Sequence, residues 1–73
     1  MSKTRLDHFF QGNGLSIPEV AEWATLKTSY VEALLEGEVT PHLYETRRIL
    51  TTCSHLLGRR VKLAELFDLE ELR

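Results

Sequence analysis

The chain has one cysteine, two prolines, one tryptophan and three histidines in 73 residues, and each scarcity removes a class of chemistry. Cys53 has no partner within the chain, so no internal disulfide forms. It shares the apolar side of a helix with Leu50 and Leu57, where buried packing is expected ahead of metal or redox chemistry. His8, His42 and His55 are dispersed, with no HxxxH pair and no CxxC, so no metal-ligand spacing is present. Ser16, Ser29 and Ser54 have no recognisable base and orienter, and no glycine-rich phosphate loop follows a strand. So small a helical bundle also leaves little room for a catalytic pocket. No catalytic residue, metal, cofactor or enzymatic activity is expected. With no run of eighteen apolar residues and no basic-then-apolar N-terminal signal, the chain is expected to be cytoplasmic and to avoid membranes.

A surplus of positive charge is missing too. Nine Lys and Arg face eleven Asp and Glu, a net −2, yet the imbalance is local: through Ala64 the charges sum to +1, and the remaining residues contribute −3. The acidity is largely a C-terminal property.

What is present is helical periodicity. The 42% of hydrophobic residues suffice for one small core, although at this length the core is marginal unless helices pack well or a second copy contributes surface. Five helices and no strands are expected in a single domain over 1–73. Leu6, Phe9 and Phe10 give an opening helix over about 3–11, ended by Gly12, Asn13 and Gly14. Ser16 with Glu19 three residues later reads as a capping box, and Pro18 sits in the first turn, where its missing N–H removes no intrahelical bond. Val20, Ala21 and Ala24 then recur on one narrow face, and Ala21 is small enough to let a second helix approach closely. Val31, Leu34 and Leu35 supply that helix after a connection over 25–27, with Leu26 filling the hinge. Gly37 ends it. Thr40 is the expected cap of the next helix, with Pro41 just inside it. Leu43, Tyr44, Arg47, Ile49, Leu50, Cys53, Leu56 and Leu57 trace about four amphipathic turns, closed by Gly58. Val61, Leu63, Leu66 and Phe67 make a short final helix.

The segment over about 16–36, two short helices on one hinge, has the spacing of a helix-turn-helix. Leu15-Ser16, small Ala21, Ala24 and Leu26 around the turn, Val31 and Leu34 in the second helix, then Gly37 and Pro41, together resemble the Cro and phage-repressor type of helix-turn-helix, the Xre family. The resemblance covers about 15–67. It implies a compact five-helix, all-α repressor-like fold and a bacterial or phage transcriptional regulator, nucleoid-associated, reading double-stranded DNA as a homodimer. Three positions depart from the pattern: Ile17 where glutamine is common, Thr25 where glycine is favoured in the turn, and Leu35 where glutamate often stands. Thr25 must therefore either enter positive φ or let the turn take another shape.

In that geometry the start of the second motif helix enters the major groove. Lys27 would hold phosphate, while Thr28, Ser29, Glu32 and Ala33 would face base edges, with Tyr30 on the border. Thr40 and His42, in the following loop, would hold the backbone. The plainer alternative is that Thr28 or Ser29 caps the helix, Glu32 is solvated and Lys27 keeps the surface soluble. Leu66, Leu69 and Leu72, within a candidate dimerisation segment over 62–73, are read as a dimer surface, against the alternative of a frayed tail. Trp23 is either a lid over the seam near Phe9 or Phe10, the expected role, or an exposed anchor for a protein partner. Arg47-Arg48 and Arg59-Arg60 are expected to be solvated or paired with Glu45 and the acidic C-terminal residues. A second reading is an Xre-like interaction module that has lost DNA binding and engages a protein through Trp23, Tyr30 or the Leu69-Leu72 stretch.

Overall fold

A computed structural model describes residues 4–68. Five helices and no strand occur among them: α1 Arg5–Gly12, α2 Ile17–Ala24, α3 Thr28–Glu36, α4 Leu43–Leu57 and α5 Leu63–Leu66.

Thr4 starts α1 by accepting the Asp7 amide at 3.0 Å, and its hydroxyl also donates to the Leu35 carbonyl at 2.9 Å, fastening α1 to the end of α3. Leu6, Phe9 and Phe10 then fall on one face and are buried. Ser16 caps α2 through the Glu19 amide at 3.2 Å, with Pro18 in the first turn as expected. Val20, Ala21 and Ala24 form its buried stripe, against which Val31, Leu34 and Leu35 of α3 pack. Ile49 and Cys53 of α4, Val61 after it, and Leu66 and Phe67 complete the same core. Burial pushes the Cys53 thiol up to about 11, which keeps it protonated and inert at neutral pH.

The hinge between α2 and α3 takes the strained option. Thr25 adopts φ 59°, ψ 45°, the one positive φ outside glycine among the described residues. For a β-branched residue this conformation costs about 1–2 kcal/mol. Amides from Thr25 to Glu22 and from Leu26 to Ala21, at 3.2 and 2.9 Å, use the last carbonyls of α2 and hold the turn there.

Two expectations about α4 are corrected. Its cap is His42 instead of Thr40, and Pro41 precedes the helix instead of lying within its first turn. The Glu45 carboxylate reaches back to the His42 amide at 3.0 Å, so the start is fixed by a bond that the Thr40-Pro41 pair does not offer. Leu43 and Tyr44 do not face the core either: they are 68% and 62% exposed. The inward face instead uses Thr46 and Thr52 beside Ile49 and Cys53. Thr46 can be buried because its hydroxyl donates to the Leu43 carbonyl at 2.7 Å.

The closing helix is tied at both ends. Arg5 donates to the Ala64 carbonyl at 2.9 Å, and Glu65 accepts the Lys62 amide at 2.7 Å while pairing with Arg59 at 3.2 Å. Leu66 is 0% exposed. It is a core residue and gives no surface to a second copy, which corrects its assignment to a dimer face. Leu69 and Leu72 lie outside the described residues.

The hinge and the α3 exit generate opposite expectations. Thr25 is solvent-exposed, so Thr25→Gly should relieve its strain and raise stability by about 0.5–1 kcal/mol despite the freer unfolded chain. Gly37 lies at φ 76°, and a Cβ there would meet Thr4 Cγ2 at 3.2 Å. Gly37→Ala should therefore lower stability by about 1–2 kcal/mol. Urea midpoints measured at unchanged denaturant slope check both signs.

Candidate nucleic-acid interface

The edge formed by the start of α3 is built by the hinge. Lys27, Thr28 and Ser29 follow Leu26, whose side chain packs against the core, and all three are exposed. Lys27 is the N-cap residue, and no side chain caps the helix. Neither the Thr28 nor the Ser29 hydroxyl has a hydrogen-bond partner among the described residues. Lys27 has no carboxylate partner among them. The first-turn amides of α3 and its positive dipole end thus open beside two unspent hydroxyls and a free ammonium. This arrangement can accept anionic oxygen and exchange hydrogen bonds with base edges.

Tyr30 is tied to the start of α4. It is half-buried, and its phenol donates to Glu45 Oε1 at 2.6 Å; the same oxygen accepts the His42 amide. That bond, with the backbone bond from His42, holds the Glu45 carboxyl below the usual carboxylate range. Burial and the adjoining carboxylate push the Tyr30 phenol far up, so it stays protonated throughout the accessible pH range. The bridge brings the start of α3 and the start of α4 together, uniting Tyr30 and His42 from the expected set.

The remaining members are spread out. Glu32 is exposed and Ala33 half-buried, farther along α3. Thr40, although exposed, lines a cavity of about 380 Å³ with Thr4, Arg5, Glu36 and Phe67, beside the end of α3. The eight residue-to-residue steps from Thr28 to Glu36 put that end roughly 12 Å away from the edge at Lys27 to Ser29. The exposed carboxylate of Glu32 disfavours a polyanion at the middle of α3, so the edge at Lys27 to Ser29 is the more favourable part.

Trp23 is corrected. It is 58% exposed and stacks on His55 of α4 at 4.8 Å, tilted 44°, instead of covering Phe9 or Phe10. The signal was in the helix geometry: at about 100° per residue Trp23 falls on the flank of the Val20-Ala21-Ala24 stripe. Arg48 was also underestimated. Its guanidinium donates to the Ala24 carbonyl at 3.1 Å, satisfying the C-terminal end of α2, and lies 4.6 Å above the Tyr44 ring. Glu45, the keystone of the α3–α4 corner, was legible only as the third residue after His42. Its bond to Tyr30, fifteen residues away, was not.

Among the described residues no helix is long and apolar enough to cross a membrane. Compared with family models, with curated proteins and with solved structures, the chain matches none.

Tyr30→Phe should lower stability by about 1 kcal/mol by leaving the carboxylate one donor short. The sign with pH follows from the lowered Glu45 pKa. Its stabilisation is present above the ordinary carboxylate range and is lost as pH falls through that range toward the lowered value. Urea titrations at neutral and acidic pH should show the wild type losing its advantage over Tyr30→Phe as pH falls.

Proposed function

We propose that this chain is a sequence-specific DNA-binding transcription regulator of the repressor kind, bacterial or phage, of the Xre helix-turn-helix family. It works in the cytoplasm on nucleoid DNA as a symmetric pair. The α3 edge enters the major groove, Lys27 meets phosphate, and Thr28 and Ser29 exchange hydrogen bonds with base edges. His42 contacts the backbone beside it, Tyr30 sets the corner that presents His42, and Thr40 meets the backbone farther along, beside the end of α3. The observation that carries this reading is the pair of exposed hydroxyls next to a lysine, none with a side-chain partner among the described residues, at the start of a helix crossed by α2. A helix that needed Thr28 or Ser29 only for capping would have spent one of them.

A second reading has an observation of its own. Exposed Trp23 and Tyr44, with the exposed Glu32 carboxylate on α3, favour a module that has kept the fold and binds protein instead.

Titration against duplex DNA at about 50 and 200 mM salt, starting with sequence upstream of the chain's own gene, separates them. In the DNA reading, affinity falls with salt. Lys27→Ala weakens binding to all duplexes and reduces the log–log salt slope by about one. Thr28→Ala and Ser29→Ala instead cost about five- to tenfold on the preferred sequence and little elsewhere. Binding that is absent at low salt, or indifferent to all three substitutions, would remove the DNA reading.

A further inference from the structure

A groove lies on the flank where α2 packs on α4, and no residue of α3 lines it. It is a cavity of about 340 Å³, floored by Ala24 and Thr52 and walled by Trp23, Tyr44, Arg47 and Arg48. Both aromatic walls are set before anything binds. The Trp23 indole stacks on His55 at 4.8 Å, and the Arg48 guanidinium, held by its 3.1 Å bond to the Ala24 carbonyl, lies 4.6 Å above the Tyr44 ring. A partner that meets them loses little affinity to ordering these side chains.

The shape of the groove decides the size of its occupant. A small ligand buries most of its surface in its pocket, whereas here Trp23 and Tyr44 stay 58% and 62% exposed. Such broad walls suit the side chains of a polypeptide laid across them. Charge decides the partner's composition. No carboxylate lines the groove, although the chain's net charge is −2. Arg47 is exposed with no ion pair among the described residues, and the partners of Arg48, a carbonyl and a ring, leave its charge uncompensated. Two guanidiniums beside two aromatic faces complement a segment that mixes carboxylates with apolar side chains. Single-stranded nucleic acid also stacks on aromatics, but it asks for a basic track along its whole backbone. The exposed neighbours of Trp23 on α2 are Glu19 and Glu22 instead, which a continuous polyanion would have to pass.

We propose that the groove receives a short acidic, amphipathic segment of a different protein. Its apolar side chains lie against Trp23 and Tyr44, and its carboxylates face Arg47 and Arg48. This contact rests on the protein-binding reading only in treating Trp23 and Tyr44 as a protein contact, and it supplies the partner's chemistry. Because α3 takes no part, the groove and the DNA edge are open to separate occupants.

Selection of the whole chain against a random peptide library displayed on phage tests this without presuming a sequence. Enriched peptides are expected to combine Asp or Glu with Leu, Ile or Phe. Made as fluorescein-labelled synthetic peptides and titrated by anisotropy, they should bind more weakly as salt is added. Trp23→Ala should weaken them roughly thirtyfold, the effect of truncating a central aromatic anchor. Arg47→Glu should weaken them roughly tenfold, and lysine in place of the peptide's carboxylates should restore binding to that variant in part. Both positions are exposed, so far-UV circular dichroism should match the wild type. Enriched peptides that are neutral or basic, yet lost on Trp23→Ala, would overturn the acidic partner and leave the protein-binding reading standing. Failure to enrich any peptide that depends on Trp23, or Trp23-dependent binding of oligothymidylate tighter than that of every selected peptide, would overturn both.

Discussion

The 2.9 Å bond from the Leu26 amide to the Ala21 carbonyl bridges a threonine held in left-handed conformation, and the orientation of α3 depends on it. Such a conformation persists only where the surroundings over-determine it. Here the determinants are Ala21, 1% exposed and small enough for close approach, and Val20 and Val31, both fully buried at the same seam. With α2 and α3 locked in this way, the start of α3 is carried outward past the core. The openness of Lys27, Thr28 and Ser29 is therefore a consequence of apolar packing several residues away. The same locking turns the flank of α2 outward and leaves Trp23 beside α4.

Polar side chains are divided between bracing and presentation, and the division follows depth. Tyr30, half-buried, uses its hydroxyl on Glu45, and Glu45 uses one oxygen on both Tyr30 and the His42 amide. Arg48 completes the carboxyl end of α2, Arg5 completes α5, and Thr4 joins α1 to α3. Each bond satisfies a helix-end group that would otherwise lack a partner. The side chains left over at the α3 edge are short hydroxyls and one lysine, and those left over in the α2–α4 groove are aromatic with an arginine that has no ion pair among the described residues. The two surfaces differ in chemistry because the bracing residues withdrew different groups from each.

Much of the architecture could be read from local signals. Ser16 and Pro18 announced α2, Gly37 and Gly58 the exits of α3 and α4, and the buried faces of α1, α2 and α3 follow from apolar spacing alone. The α4 face could not be read in that way. Counting apolar residues enlisted Leu43 and Tyr44, whereas the true inward stripe includes Thr46, whose hydroxyl is neutralised by a carbonyl of its own helix. Thr40 looked like the better cap by residue type, but a cap is a geometric role, and Glu45 could serve it only from His42. Leu66 looked spare because it stood next to Leu69 and Leu72, yet it is fully buried in the core.

What the sequence by itself determined is the set of helices, most of their ends and most of their apolar stripes, because capping and periodicity are interactions among residues at most a few positions apart. Only the tertiary structure decided that Thr25 bears strain, that Tyr30 braces Glu45, and that Trp23 faces solvent. Each of those outcomes depends on which distant groups, Glu45 for Tyr30 and His55 for Trp23, arrive at the same place when the core closes, and apolar packing brings them there without leaving a local mark.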